Sequence, residues 1–237
     1  MSCKLSLTIL AVFGLSQAVH AQATEKPIPV RIRAVLHDPV NPTANLFYTA
    51  ETEAVVQLNF RPQDLTETLF MLPVNGSLML YDKATIDPEN PAASLAASAK
   101  LAPDLKQVIV IVLPAPAGER PAYRMLVIDD SEKAFPNGES RVISLINGES
   151  AIQAGEHKLP VHPGKIAAVP PVKKVDEFNM AQTNFYYQQG GSWVAFAERQ
   201  LQFLDACRRL FIIHATPGAL QPTVTTIVDT NLRVKPR

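Results

Sequence analysis

Cysteine is almost missing from this sequence: Cys3 and Cys207 are the only two in 237 residues. Cys3 falls within an N-terminal leader, described below, so the expected working chain keeps Cys207 alone and has no internal disulfide. That excludes the stapled scaffold of small secreted modules and requires the fold to be held by packing. Arg208 and Arg209 would lower the Cys207 thiol pKa at an exposed site, but the simpler expectation is a small buried apolar side chain. Charge bias is missing too, with 22 basic and 22 acidic residues. This excludes the basic stripe that nucleic acid demands and the polybasic run that anionic lipid attracts. Lys173-Lys174 and Arg208-Arg209 read as isolated, solvated pairs. Beyond the leader no apolar run approaches the ~20 residues of a membrane-spanning helix. Val108 to Pro114 and Leu210 to Ile213 read as buried strands instead.

Motifs of catalysis and ligation are also lacking. A serine hydrolase elbow needs Gly-x-Ser-x-Gly on a strand-to-helix turn, and none occurs. Ser192, which follows Gly190-Gly191, reads as a hairpin residue. No glycine-rich phosphate cradle is present. His157 and His162 lie in a proline-rich turn, with His37-Asp38 and His214 far off in sequence, so no zinc-type spacing forms. Asp129-Asp130 with Glu132 lacks the pattern of a calcium loop and reads as a strand end at the surface. Acidic residues are plentiful, but nothing singles out a pair for general acid and base work. The expectation is a non-enzyme with no cofactor and no metal.

What the sequence does contain starts at its N-terminus. Lys4 precedes a mostly apolar run from Leu5 to Val19, and Val19-His20-Ala21 places small residues where a signal peptidase reads. Residues 1–21 are therefore expected to be a secretory signal peptide cleaved after Ala21. Cys3 lies before the apolar run, which argues against a lipoprotein. The expected location is periplasmic or secreted, with no transmembrane span after cleavage.

The rest is punctuated by proline, 20 in the whole chain, and by short bursts of Val, Ile, Phe and Tyr that suit a pleated, half-buried surface. Val30 to Leu36 alternates, with Arg31 and Arg33 on the polar side; Ala54 to Phe60 follows the same pattern. Thr66 to Leu72 and Gly76 to Tyr81 flank Pro73-Val74-Asn75 as a hairpin. Gln107 to Leu113, Tyr123 to Ile128, Arg141 to Ile146, His157 to Leu159 and Lys165 to Val169 complete a series of strands. Ala92 to Leu101, rich in alanine and serine, is expected to form a helical turn or two within a long loop. Asn184 to Gln189, Gly190-Gly191 and Ser192 to Arg199 read as a hairpin with a glycine turn. Helical spacing of Trp193, Phe196, Ala197, Leu201, Leu204 and Cys207 makes a helix over residues 195–210 the rival reading.

Internal echoes favour strands. Gly76 to Tyr81 resembles Gly191 to Phe196, Val108 to Val112 resembles Leu210 to His214, and Leu126 to Asp129 resembles Thr226 to Asp229, in the same order. Asn-Gly-Glu-Ser occurs at 137–140 and again at 147–150, as turns at opposite ends of one strand. These signals predict an all-β, antiparallel, immunoglobulin-like β-sandwich of two related units, residues 22–135 and 136–237, forming either two sandwiches or one continuous domain.

One constellation carries chemistry. Phe185 and Tyr187 fall on one face of their strand and Tyr186 on the other, with Trp193 and Phe196 on the next strand. Tyr186, Trp193 and Phe196 are the candidate ligand platform, for sugar rings or for a protein surface; ordinary core filling is the competing reading. Ala134-Phe135-Pro136, Glu139-Ser140 and Leu145-Ile146-Asn147 together loosely resemble a strand segment of the periplasmic pilus chaperones. That resemblance covers one short stretch and lacks the family's paired basic anchors; it implies only that strand-edge binding is a mode to test. The leading functional expectation is an exported, non-enzymatic protein that binds or scaffolds another envelope or extracellular component. A carbohydrate-binding module using the aromatic platform is the alternative, and an uncharacterised hydrolase the third class.

Overall fold

The computed structural model describes residues 27–38, 40–87 and 89–230. The expected leader and its cleavage point at Ala21 lie outside the described residues. Among the described residues, all regular structure is β except one short turn of 3-10 helix at Pro91–Ser94. The first eight strands are β1 (Val30–Leu36), β2 (Leu46–Thr49), β3 (Val55–Leu58), β4 (Leu69–Met71), β5 (Ser77–Tyr81), β6 (Leu95–Lys100), β7 (Gln107–Pro114) and β8 (Tyr123–Asp129). The next eight are β9 (Ser140–Ser144), β10 (Ser150–Ala154), β11 (His157–Val161), β12 (Ile166–Val169), β13 (Met180–Gln189), β14 (Ser192–Gln202), β15 (Arg208–His214) and β16 (Thr223–Asp229).

These strands form four four-stranded sheets, ordered β4-β1-β7-β8, β3-β2-β5-β6, β12-β9-β15-β16 and β11-β10-β13-β14. Adding eight to each label of the first pair reproduces the second pair, so one eight-stranded topology is built twice. Each copy contains one parallel contact, β1 with β7 and β9 with β15, in otherwise antiparallel pairing. Two sandwich cores result. Val30, Ile32, Leu36, Leu46, Leu78, Leu80, Val108 and Val110 fill the first; Val142, Ile152, Phe185, Phe211 and Ile213 fill the second. A third core joins them, made by Val35, Ile109, Ile111, Leu113 and Ile128 against Ile143, Leu210, Ile212 and Ile227. The sheets holding β1, β7, β9 and β15 are thus apolar on both faces and form the inner layers of a four-layer stack. This explains the unbroken apolar runs of β7 and β15, as expected for strands covered on both sides.

The seam between the copies changes several sequence readings. On the Arg31–Arg33 side of β1, Arg31 is exposed but Arg33 is not: it is 5% exposed, because the second copy covers it. Arg208 and Arg209 are buried rather than solvated, and Asp130 is buried rather than ending a surface strand. The turn before β5 is real, with Val74 and Ser77 bonded to each other through both amides at 2.9 and 3.0 Å. It does not make a hairpin, however: β4 pairs with β1 and β5 with β2 and β6, in different sheets. The Ala/Ser-rich stretch is helical only over its first residues; from Leu95 it is strand β6, because Ala96 and Ala97 are needed against the core. Ser192–Gln202 is strand, not helix, paired along its length with β13.

Candidate functional site

The Gly190-Gly191 turn, with φ of 58° and 82°, closes β13 onto β14. Both values lie in the left-handed region that glycine adopts without cost, which suits a two-residue hairpin. Along this pair the register shifts between Phe185 and Tyr186: Phe185 faces Ala197, Tyr186 faces Ala195, and Phe196 is the extra residue of a β-bulge. A bulge breaks the two-residue alternation, so Phe196 and Ala197 both turn to the core while Trp193 and Ala195 stay on the outer face.

The three sequence-predicted platform residues therefore separate. Phe196 packs inward, 6.2 Å from Phe185 and 5.9 Å from Tyr187 between ring centres, as part of the second core. Tyr186 and Trp193 come together. They line one open hollow of about 280 Å³ with Ala151, Lys158, Leu159 and Pro160, on the outer face of the β11-β10-β13-β14 sheet. Trp193 is 49% exposed. The Lys158 ammonium stands 5.9 Å from the Tyr186 ring centre. Outside this lining, a line of polar groups runs from the Tyr186 hydroxyl along the same sheet face, away from Trp193. Tyr186 donates its hydroxyl proton to Gln153 Oε1 at 3.3 Å and accepts from Asn184 Nδ2 at 3.2 Å, while Gln182 Nε2 donates to Asn184 Oδ1 at 2.6 Å. These amides lie on the same face because β10 and β13 are in register, Gln153 opposite Asn184 and Ala151 opposite Tyr186. Sequence reasoning missed Lys158, Gln153 and Asn184; their alternation with core residues was visible, but not which strands would be neighbours.

Two further polar clusters lie in the seam. At one end, Asp130 and Asp229 sit between Arg33 and Arg208. Arg33 reaches Asp229 at 2.7 Å and Asp130 at 3.0 Å; Arg208 reaches Asp130 at 2.8 Å and also bonds Asp229. All four are at most 6% exposed. Paired guanidinium groups hold the Asp229 carboxyl below its ordinary range despite its burial. Phe135 lies between Arg141 and Arg208, their guanidinium carbons 4.6 and 4.4 Å from its ring centre, and its carbonyl accepts from Arg208 at 2.8 Å. The set is closed and mutually satisfied, as a structural network must be. At the other end, His37 and His214 meet edge to face at 4.4 Å. His37 Nε2 and His214 Nδ1 are buried without a hydrogen-bond partner, and His214 Nε2 lies 3.1 Å from Thr225 Oγ1. Burial first, and then the proximity of His214, push the His37 pKa down to about 4.

Another hollow, about 600 Å³, lies at the end of the first copy between Pro27–Val30 and Lys100–Lys106. Its lining is prolines, aliphatic side chains and the two lysines, with no aromatic ring and no acid, base or nucleophile pair. Among the described residues no three His, Cys, Asp or Glu side chains converge as metal ligands, and no helix is long and apolar enough to cross a membrane. No protein-family model matches the chain, and no curated protein sequence is similar to it.

Proposed function

We propose that this is an exported, non-enzymatic binding protein, and that it holds another envelope component on the outer face of the β11-β10-β13-β14 sheet. The observation that supports this most is Trp193, half in solvent beside Tyr186 in one open hollow. A large ring left exposed on a sheet with a full core beneath it serves contact better than stability. The buried charges of the seam are consumed in joining the two copies, so they are not a reaction centre.

Affinity purification of the tagged protein from its native envelope tests this reading. A stoichiometric component should be retained by the native chain and by Val56→Ala, an exposed change on the first copy. It should be lost with Trp193→Ala and with Tyr186→Ala. Unchanged retention by both aromatic variants would remove the face from consideration. N-terminal sequencing of the purified protein should begin at Gln22; an intact Met1 would rule out the leader.

A further inference from the structure

We infer that the occupant of this face is an acidic glycan, a chain of carboxylated sugar rings; the inference rests on the contact face proposed above and names what it holds. The two copies of the fold supply an internal control. In β5–β6 the register shifts between Leu80 and Tyr81, with Ala96 as the extra residue, so Tyr81 occupies the bulge position that Tyr186 occupies in β13. Opposite Tyr81 stands Phe47; opposite Tyr186, at the matching place, stands Ala151. The first copy then runs through Asp82–Thr85, which borders a hollow with Phe47, and Tyr81 is only 4% exposed. The second copy replaces that connection with two glycines. The tyrosine at this scaffold position is covered in one copy and half-buried beside an exposed tryptophan in the other, so the fold itself does not require the open aromatic pair.

The lining matches a sugar acid. Tyr186 and Trp193 lie two residues apart along the strand and one strand apart across it, about 8 Å by strand geometry. One glycan chain can rest the apolar C–H faces of its rings on both. The hollow is small for a ligand site, with room for about one or two sugar rings. The amides of Gln153, Asn184 and Gln182 can exchange hydrogen bonds with ring hydroxyls without net charge. Lys158 is the only charged residue in the lining, and no carboxylate shares it. A sugar carboxylate over the hollow therefore meets the Lys158 cation, while Glu198, the carboxylate of the same cross-strand row, stands opposite Asn184 and three strands from Lys158. A nucleic acid strand would stack on the same rings but needs a basic track for its phosphates, which one lysine does not supply.

Trp193 is the only tryptophan of the chain, so its emission reports this site alone. The full chain after leader removal is titrated with an oligogalacturonate and with its carboxyl-reduced, neutral counterpart, by fluorescence and by calorimetry. The acidic oligosaccharide should give a saturable emission change and bind several-fold tighter than the neutral one. Tyr186→Ala and Trp193→Ala, the latter read by calorimetry, should each weaken it about tenfold, the scale of one lost stacking partner. Lys158→Gln should erase the preference for acid over neutral while leaving neutral binding unchanged. Equal binding of the two oligosaccharides would overturn the acidic assignment. Flat titrations of a folded chain, alongside envelope capture of a protein that depends on Trp193, would overturn the glycan and leave the contact face standing. Glycan binding indifferent to both aromatic variants would overturn both.

Discussion

Single side chains in the seam have very different weights, and surroundings decide which. Asp229 is 4% exposed and answers both Arg33 and Arg208. Asp229→Asn would leave two buried guanidinium groups facing the Asp130 carboxylate, an uncompensated charge that costs about 3–5 kcal/mol in typical buried pairs. Urea unfolding should show a loss of that order. Arg61→Ala, which breaks a pair with Glu67 at two exposed side chains, should cost no more than about 1 kcal/mol. His37 sets a pH dependence of its own. Its folded pKa of about 4 lies below the ordinary 6.5, so between those values the unfolded chain binds the extra proton and stability falls as pH falls. At about 1.36 kcal/mol per unit, the loss approaches ~3 kcal/mol once pH has dropped through 4. His214, also lowered by burial, acts in the same direction, and Asp38 opposes it weakly. Asp229, whose pKa is depressed, contributes stability above 3.8 that is lost only at still lower pH. Denaturation midpoints between pH 7 and about 5.5 therefore report on the histidines, because Glu156, held at about 2 by the Lys173 and Lys174 amides, begins to lose its contribution only as pH falls toward 4.5. His37→Phe, which keeps the ring contact, should flatten much of that slope; an unchanged slope would exclude His37 as its source.

At the level of strands, most elements were readable, while their partners were not. Alternation and β-branched runs located β1, β7, β8 and β9 closely and the second part of β13, from Asn184, because a strand's own residues carry its period. Pairing depends on residues far away: nothing local to Thr66–Leu72 says that β4 joins β1 rather than β5. The internal echoes show the same limit. Matching Val108 to Leu210 and Asp129 to Asp229 found the right strands but slipped by one residue. By face and pairing, Ile109 corresponds to Leu210, Ile128 to Ile227 and Asp130 to Asp229. A one-residue slip exchanges the two faces of a strand; Arg33, Asp130 and Arg208 read as solvated for a separate reason, that their cover comes from the other copy, which no local pattern announces. The platform was half legible for a related reason. Tyr186 and Trp193 follow strict alternation, but the bulge that turns Phe196 inward is defined only by the register with β13. The hidden order lies between strands.

The whole molecule is two copies of one fold sharing a third core, and that arrangement has a mechanical consequence. Sandwiches linked by a flexible connector would unfold independently. Here the connector is anchored in the seam: Phe135 is 0% exposed, and Asp130 belongs to the charge cluster, while Glu132, Lys133 and Asn137 stay exposed. Ile109, Ile111, Leu210 and Ile212 are likewise 0% exposed at the contact between the inner sheets. Unfolding either copy exposes this surface on the other, so the free energy of the seam couples them. The native chain should therefore unfold in one thermal transition with equal calorimetric and van't Hoff enthalpies. Ile212→Asp places a carboxylate against Ile109 and Ile111 without touching the side chains of either sandwich core. It should split the transition in two, since an unpaired charge in that layer removes the advantage of holding the inner faces together. Two transitions in the native chain would mean that the seam does not couple the copies. A single transition in Ile212→Asp, merely shifted to lower temperature, would mean that coupling runs through the charge cluster and Phe135 instead. Coupling of this kind also suits a contact face on the outermost layer: force applied at Trp193 is carried through four packed sheets rather than through a linker.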